Sequence, residues 1–504
     1  MPTIKFSTFL VLFLALVSDP GAWAQDSGTA GLPDLPDNPT PADFLPDSQI
    51  VPVSDEGIDE AGDESLQAGP PVQNDEQLLQ REFDLFRQLM RDNVLDEADT
   101  VAKRLVELTI RLKGPQSGEY AKALTNLAIV QFQTKEYEAS KQNFESAIEI
   151  IEDNEDRLNE QLINPLKGLG AAQLESGRPD QASLTFRRAV HVTHVNEGPH
   201  NFDQVALLES IAETHLRMGD LDTAKEAQDA IYALNVREFE LDSLELIPSL
   251  MRRAAWQHRA GFIYDERTTF RRIIRIIEGQ LSKDAIELVE PLVLLGRSFF
   301  YADTSGSDQS GMTSMTSGEI YFRRAVSIAE ESADSNWQVT SQAILALGDH
   351  YMFDRNPQRA RQAYTEAWEL LSADESTLDV RREQLENHVL LSHHDVPQFV
   401  VADDAEDEEA VPQDDDLLQG EISVSFTVSA TGRVRDLILL DADPEEFEQM
   451  LSYVVREVRR RIYRPRFVDG VPVDSPNQVL NHKFFYRQSD LDALRAEPIT
   501  EAGE

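Results

Sequence analysis

Apolar residues recur along the middle of the chain with the spacing of amphipathic helices. Leu124, Leu127 and Ala128 fall at positions i, i+3 and i+4, and a second set that begins at Phe144 repeats the pattern after a polar turn. Such spacing places apolar side chains on one face of a helix, so each set predicts one helix. Two helices joined by a short polar turn predict a helical hairpin.

The hairpin pattern repeats with an offset of 42 residues, so that Ser140 aligns with Ala182 and Phe144 with Phe186. After one insertion of about ten residues, carried by the loop 304–318, the register continues. The small position of the first helix is filled in turn by Ala128, Gly170, Ala212, Ala254, Gly296 and Gly348. Units that cannot bury their apolar faces alone must stack on their neighbours. The pattern therefore predicts a mainly α fold, an α-solenoid of about seven helical hairpins over residues 79–395.

The order of Leu, a small residue, a Gly-Asp turn, Ala, an aromatic residue and Ala resembles the tetratricopeptide repeat. The 42-residue period is similar to the longer, kinesin-light-chain type of this repeat. The resemblance covers about residues 79 to 382, and it is weaker in the first, fourth and fifth units, where for example Glu266 stands in place of the usual Ala. It implies a scaffold that binds other proteins.

The first helices of such a solenoid line a concave groove. By repeat position, the side chains expected to face this groove are Lys122, Thr125, Ile129, Lys167, Ala171, Glu209, Glu213, Met251, His258, Arg297, Leu345 and Asp349.

After Gly420 the period changes from that of a helix to that of a strand. Apolar residues alternate with polar ones from Ile422 to Val428, a turn follows, and the chain runs back through residues 434–440. The sequence then predicts a helix that begins at Asp443, with Asp as the cap and Pro at the first position. A short strand and a last strand at residues 479–486 complete a small α+β (ββαβ-type) domain over residues 419–488, followed by a tail at 489–504.

The spacing of Gly, Val and aromatic residues in this domain resembles the C-terminal domain of TonB-type energy transducers. The positions that meet the family pattern are Gly420, Phe426, Gly432, Tyr463, Pro465 and Gly470. The resemblance implies a periplasmic domain that pairs the edge of its sheet with an extended peptide from an outer-membrane receptor. An unpaired edge binds such a peptide through backbone hydrogen bonds. The predicted edge comprises Val479, Leu480, Asn481, His482, Lys483, Phe484, Phe485 and Tyr486.

The charge of the chain and its terminal segments predict where the protein is located in the cell. The first 24 residues have a basic start, a short apolar core and a small-x-small site, which predicts a cleaved signal peptide. Residues 25–78 are acidic and proline-rich, which is typical of a disordered spacer, and residues 396–418 form an acidic linker. A net charge of -45 disfavours nucleic acid as a partner. The expected location is the periplasm, with the inner membrane as the alternative if the signal segment is retained.

Few residues in the sequence suggest a catalytic site or a metal-binding site. The chain has no cysteine, which excludes thiolate catalysis and zinc-thiolate sites. His191, His194 and His200 are close in sequence, but no acidic residue is evidently positioned to complete a metal shell. No nucleotide-binding or hydrolase motif occurs. We therefore expect neither enzyme activity nor a cofactor.

Three functional hypotheses remain. In the first, the protein is a periplasmic scaffold whose repeats bind an envelope partner and whose C-terminal domain captures an extended peptide, in outer-membrane transport. In the second, it is a membrane-anchored TonB-type energy transducer for receptor-mediated uptake. In the third, the C-terminal domain is an internal part of the fold and binds no peptide.

Overall fold

A computed structural model describes residues 75–300, 318–391 apart from Asp334, and 417–496. The predicted signal peptide, most of the spacer, the insertion loop up to residue 317 and most of the acidic linker lie outside these residues. Within them, no helix has the length and apolar character needed to cross a membrane.

The described residues divide into two compact units, one within residues 37–241 and the other within residues 242–504. The first unit consists of four helical hairpins. Its helices are α1 (Asp75–Arg91), α2 (Leu95–Lys113), α3 (Gly118–Gln133), α4 (Tyr137–Asn154), α5 (Ile163–Glu175), α6 (Pro179–Glu197), α7 (Gln204–Arg217) and α8 (Leu221–Phe239). The second helix of each hairpin packs on the first helix of the next one, so one apolar core runs through the unit.

The repeated small and aromatic residues explain why neighbouring helices approach closely. The fully buried ring of Phe186 lies against Gly170 of the preceding helix, where an added Cβ would come within 2.6 Å of the ring. Phe144 lies against Gly168 of the next hairpin in the same way, at 2.1 Å. A larger side chain at either glycine would displace a ring from a close-packed core.

The second unit begins with three more hairpins and a short helix. These helices are α9 (Ile247–Arg259), α10 (Ile263–Gln280), α11 (Val289–Arg297), α12 (Glu319–Glu331), α13 (Trp337–Phe353), α14 (Pro357–Leu370) and α15 (Leu378–Leu385). From α2 to α10 the second helices of the hairpins begin 42 residues apart, at residues 95, 137, 179, 221 and 263.

Short and long strands follow. They are β1 (Val389–Leu391), β2 (Leu417–Val428), β3 (Val434–Asp443), β4 (Ile462–Arg464), β5 (Arg466–Val468), β6 (Val471–Val473) and β7 (Ser475–Arg487). Two helices, α16 (Glu448–Arg460) and α17 (Gln488–Ala496), complete the part that we call the C-terminal module, residues 389–391 and 417–496. The strand pairs are all antiparallel, and they form a three-stranded sheet in the order β3-β2-β7 and two pairs, β1-β4 and β5-β6.

One face of the three-stranded sheet packs against α16. Alternate residues of β2, from Ile422 to Val428, are buried together with Val454 of α16 and Phe484 of β7. The prediction of a mainly helical chain with a small strand-containing C-terminal domain is therefore confirmed.

Several predicted boundaries differ from the structure. The helix predicted to begin at Asp443 begins at Glu448, because β3 continues to Asp443, which pairs with Glu421 of β2. The solenoid helices end at Leu385, ahead of the predicted end at residue 395, because β1 leaves the helical layer to pair with β4. Smaller differences occur at the first repeat, where α1 already begins at residue 75, at β2, which begins at residue 417, and in the tail, which contains α17.

Candidate functional site

The proline-interrupted segment 461–467 attaches the C-terminal module to the last helical hairpin. Arg464 of β4 forms two hydrogen bonds with the carboxylate of Asp349 on α13, from Nε to Oδ1 at 2.9 Å and from Nη2 to Oδ2 at 2.8 Å. The hydroxyl of Tyr364 on α14 donates to Asp349 Oδ1 at 2.8 Å. Nη1 of Arg464 donates to the backbone carbonyl and the side-chain oxygen of Gln384, both at 3.1 Å. The planar guanidinium of Arg464 therefore binds both the carboxylate of Asp349 and the C-terminal end of α15.

This ion pair is almost entirely removed from water, with Arg464 3% and Asp349 6% exposed. Burial raises the pKa of Tyr364 well above its usual value, and the charge of Asp349 acts in the same direction. Tyr364 therefore stays protonated and remains a donor. A buried pair of this kind makes removal of one partner costly, because the other charge is left without compensation.

Aromatic contacts surround the ion pair on the same side of the module. The buried ring of Phe467 on β5 lies 5.9 Å from the ring of Tyr364 and 6.3 Å from that of Trp368, centroid to centroid. The turn between β5 and β6 also reaches Trp368, since a Cβ on Gly470 would lie 3.4 Å from its indole. The β5-β6 hairpin therefore packs on α14 through apolar surface.

The TonB-like motif positions separate into two groups. Gly432 has φ +71° and lies so close to β4 that a Cβ would be 2.0 Å from the carbonyl oxygen of Tyr463 and 2.3 Å from Met352 on α13. Gly470 lies at the same junction, next to Trp368, and the buried Pro465 separates β4 from β5. The ring of Tyr463 packs into the module core, 6.2 Å from that of Phe426. Gly420 and Phe426 also lie within the module, where a Cβ added to Gly420 would come within 2.5 Å of the ring of Phe484. Two of the six motif positions, Gly432 and Gly470, thus lie against the helices.

The predicted peptide-binding strand lies at one edge of the three-stranded sheet. Its residues form the second half of β7, which pairs with β2 on one side. Val479, Asn481 and Lys483 are exposed, whereas Phe484 is buried in the module core. No strand in the described part of the chain pairs with the second side of β7. Peptide binding at this strand stays a prediction.

The twelve predicted groove residues all lie on first helices of hairpins, but none of them is exposed. The prediction is wrong for Asp349, whose carboxylate is taken up by Arg464 of the module. Other predicted groove residues have local partners, for example Glu213, which accepts from Arg217 at 3.2 Å, and His258, whose Nδ1 lies 3.2 Å from Glu266.

The pair His258 and Glu266 also explains an irregular repeat. Glu266 is 3% exposed at a position where other units carry a small residue, and the imidazole of the preceding helix supplies its polar contact. A buried carboxylate needs such a partner. Lys167 is one of three buried charged residues among the predicted groove residues, together with Glu213 and Asp349. Burial lowers its pKa to about 8, and the charge of Glu209 on α7 opposes this change.

The three histidines considered as metal ligands lie apart from any such site. His191, His194 and His200 are exposed, and the described ranges contain no group of three His, Asp or Glu side chains placed to hold a metal ion.

Comparison with known proteins bears on the helical repeats. Residues 121–154, which span α3 and α4, match the family model of the tetratricopeptide repeat. The match supports the prediction that the chain is a tetratricopeptide-repeat protein. Repeats of this kind generally form scaffolds that bind other proteins and are not enzymes.

Solved structures with similar arrangements include one from Podosopora anserina, described as a kinesin light chain with nearly identical TPR-like repeats. It is 13% identical with a TM-score of 0.38, over 42% of this chain and 100% of the other. BtubC (BKLC) from P. vanneervenii is 13% identical with a TM-score of 0.29, over 55% of this chain and 91% of its own. No curated protein sequence matches the chain.

Sequence reasoning missed the residues that join the module to the helices, namely Asp349, Tyr364, Trp368, Gln384 and Arg464. One signal was present in the sequence. Asp349 follows an apolar stretch of an inner helix, and Arg464 lies between aromatic and apolar residues of a strand, so two opposite charges each occupied a position that favours burial.

Proposed function

We propose that this chain is a periplasmic interaction protein whose repeats bind an envelope partner and whose C-terminal module captures an extended peptide along β7. The peptide would come from an outer-membrane receptor, so the protein would act in outer-membrane transport. The tetratricopeptide match supports the scaffold, and the TonB-like motif in the sequence supports the location and the peptide.

The observation that carries this proposal is the regularity of β7 from Gln478 to Arg487, since its one register shift and the positive φ of Asn477 (+57°) are confined to the first three residues of the strand. Its pairing with β2 runs without interruption from Leu417 opposite Arg487 to Phe426 opposite Gln478. A regular strand at a sheet edge presents a straight row of N–H and C=O groups on its outer side. An extended peptide can add to such a row as a further strand.

The other edge of the same sheet is less suited to this task. The pairing of β3 with β2 is broken twice, between Ser423 and Val424 and between Ser425 and Thr427. Asp436 of β3 has φ +51°, which turns the backbone out of the extended conformation. Bulges of this kind twist an edge and protect it from pairing with another strand. The structure therefore favours β7 over β3 as the peptide-binding edge.

Cross-linking to single cysteines tests the proposal, because the natural chain contains none. Val479→Cys on β7 and Ile438→Cys on β3 would be prepared in the full chain, since both positions are exposed, at 46% and 61%. Each would be oxidised with synthetic peptides that carry one cysteine and reproduce periplasmic N-terminal segments of outer-membrane receptors. We expect a disulfide at Val479→Cys in one preferred peptide register, and little at Ile438→Cys.

Peptides methylated at alternate backbone nitrogens provide the control, because they keep the side chains and lose the strand hydrogen bonds. Equal cross-linking at both cysteines, or cross-linking that survives methylation, would refute capture along β7.

The contact with the last hairpin favours a second candidate function, in which the module covers the end of the helical repeats. Terminal repeats need a polar outer surface, and an attached module supplies one. If deletion of residues 417–504 made residues 75–391 aggregate, while no receptor peptide bound to the full chain, this second function would replace the first.

A further inference from the structure

A surface groove of the first unit runs between α4 and α6, and its apolar residues are not required by the repeat. Leu184 of α6 is 69% exposed, although the equivalent residues 42 positions away are Gln142 and Glu226. A leucine that stays this exposed buries little apolar surface on folding, so it adds little to the stability of the fold. Within the first unit it is the only apolar residue at this position, since the remaining equivalent there is Thr100, although Ile320 of α12 in the second unit is also apolar and 55% exposed. A single exposed leucine is ordinary, so its significance depends on whether further apolar residues lie beside it.

The far end of the groove shows the same substitution of apolar for polar residues. Val195 of α6 is 50% exposed and Leu158, in the loop after α4, is 39% exposed. The residues equivalent to Val195 are Asp153 and Arg237, and those equivalent to Leu158 are Gln116 and His200. Three exposed apolar residues, at positions that are polar in the two neighbouring repeats, thus border one groove and form a patch.

Two depressions make up this groove. The first, of about 400 Å³, has Leu166 and Leu169 of α5 as its floor and Leu184 on its wall. The second, of about 520 Å³, lies between the loop 156–160 and Val195. Arg188 lies between them, because its guanidinium donates to Glu152 and also to the carbonyl oxygen of Arg157. Leu184 and Val195 are 11 residues apart on one helix, which corresponds to about 16 Å.

The charges beside the groove indicate the chemistry of its occupant. Glu145, Glu149 and Glu152 lie on one side of α4, spaced as successive turns of a helix, and Asp156 and Glu160 continue the acidic border. Arg188 is the only basic side chain among the residues of the first depression, and it is paired with Glu152. The remaining carboxylates would attract a positively charged partner.

We propose that the groove between α4 and α6 binds a basic amphipathic helix of a partner protein. Two apolar residues of that helix, 11 positions apart and so on the same face, contact Leu184 at one end and Val195 with Leu158 at the other. Lysine or arginine residues on the adjoining face contact Glu145 and Glu149. A helix laid into a groove is a common mode of peptide recognition, and this one is independent of peptide capture by β7.

Two synthetic peptides of identical composition test this proposal. One carries leucines 11 positions apart on one face with lysines beside them, and the other carries the same residues with the two leucines on opposite faces. Fluorescence anisotropy of the labelled peptides would be measured with the full chain at low and high salt. We expect the first peptide to bind at least about tenfold more tightly than the second.

Variants of exposed residues locate the binding without disturbing the fold. Leu184→Gln and Val195→Asp introduce the residues of the preceding repeat, and each is expected to weaken the first peptide about tenfold. Replacing both Glu145 and Glu149 by Gln should weaken it and reduce the salt dependence. The matched control Glu226→Gln removes a carboxylate from the adjacent repeat and should leave the affinity unchanged.

Two results would overturn the proposal. One is equal binding of the two peptides, which would indicate attraction to the net negative chain alone. The other is unchanged affinity for Leu184→Gln or Val195→Asp with an unchanged melting temperature.

Discussion

The C-terminal module has two sides that differ in how their polar and apolar groups are used. On the attached side, Arg464 and Phe467 are buried against the last helical hairpin, and their contacts are complete. On the open side, β7 keeps a regular backbone edge with alternate side chains exposed. The attachment of the module and the predicted peptide strand thus use different residues, because the contacts with the helices are made by Arg464, Phe467, Gly432 and Gly470, none of which belongs to β7.

Removal of the buried charge is expected to have the largest effect on this arrangement. Arg464→Ala leaves the Asp349 carboxylate buried without its partner, which costs about 3 to 5 kcal/mol. Denaturant unfolding of the full chain, monitored by circular dichroism, measures the loss. The exposed Arg459→Ala on α16 is the matched control and should change the free energy of unfolding by less than about 0.5 kcal/mol.

A double variant sharpens the same test. Asp349→Leu combined with Arg464→Met replaces both charges by apolar groups, and it should be much more stable than Arg464→Ala alone. If the double variant were as unstable as the single one, lost packing would explain the effect better than an uncompensated charge.

The second prediction concerns the close approach of two backbones on the attached side. Gly432→Ala would combine left-handed strain with a clash against Tyr463, because its Cβ would lie 2.0 Å from that carbonyl oxygen. We expect a loss of about 2 to 4 kcal/mol in unfolding free energy. Gly219→Ala is the control, since Gly219 has a similar φ of +73° and no atom within 4 Å of the added Cβ. It should cost about 1 to 2 kcal/mol, and equal losses would contradict the proposed clash.

The helical part of the fold could be predicted from sequence because its determinants are local. The spacing of Leu124, Leu127 and Ala128 sets one helix face, and the register of small and aromatic residues, such as Gly170 and Phe186, recurs at each hairpin. Every such contact joins residues that are near in the chain. The repeat period in the sequence is therefore enough to predict the helices and most of their packing contacts.

The attachment of the module could not be predicted in the same way. Asp349 and Arg464 are 115 residues apart, and no period relates them. By repeat position Asp349 belonged with the residues expected in a groove. Only the arrival of β4 at the end of α13 turns it into the partner of a buried arginine. The beginning of α16 was missed for a related reason, because Asp443 carries helix-start residues but is held in β3 by pairing with Glu421.

The third prediction compares the open edge with the bulged one through proline substitution. Alternate residues of an edge strand turn their N–H groups toward the sheet or away from it. Asn481 and His482 are neighbours, so the N–H group of one points to β2 and that of the other points outward. Proline at the outward position should leave the melting temperature unchanged and weaken binding of the receptor-derived peptides at least about tenfold, which is about 1.4 kcal/mol. Proline at the inward position should lower the melting temperature, because it removes an N–H group that donates to β2.

The control for the open edge is Ile438→Pro on β3. It should leave peptide affinity unchanged if β7 alone captures the peptide. A loss of affinity on β3 that equals the loss on β7 would remove the distinction between the two edges.

The smallest effect is expected from pH, and it compares one histidine on each side. Burial lowers the pKa of His388, which lies beside β1 on the attached side, and the charge of Arg466 lowers it further. Burial and the charge of Arg461 lower the pKa of His482 on β7. Each imidazole is thus harder to protonate in the folded chain than in the unfolded chain, so the unfolded state binds more protons as the pH falls.

Stability contributed by these neutral histidines is fully present above about pH 6.5, the usual pKa of histidine, and it is lost as the pH falls through the lowered folded values. The difference in unfolding free energy between pH 7.5 and pH 5.5 measures it. His388→Gln and His482→Gln should each reduce that difference, and only His482→Gln should also alter the pH dependence of peptide binding at the open edge. If His388→Gln changed peptide binding to the same extent, the two sides of the module would be coupled. That result would contradict the interpretation that the two sides have separate functions.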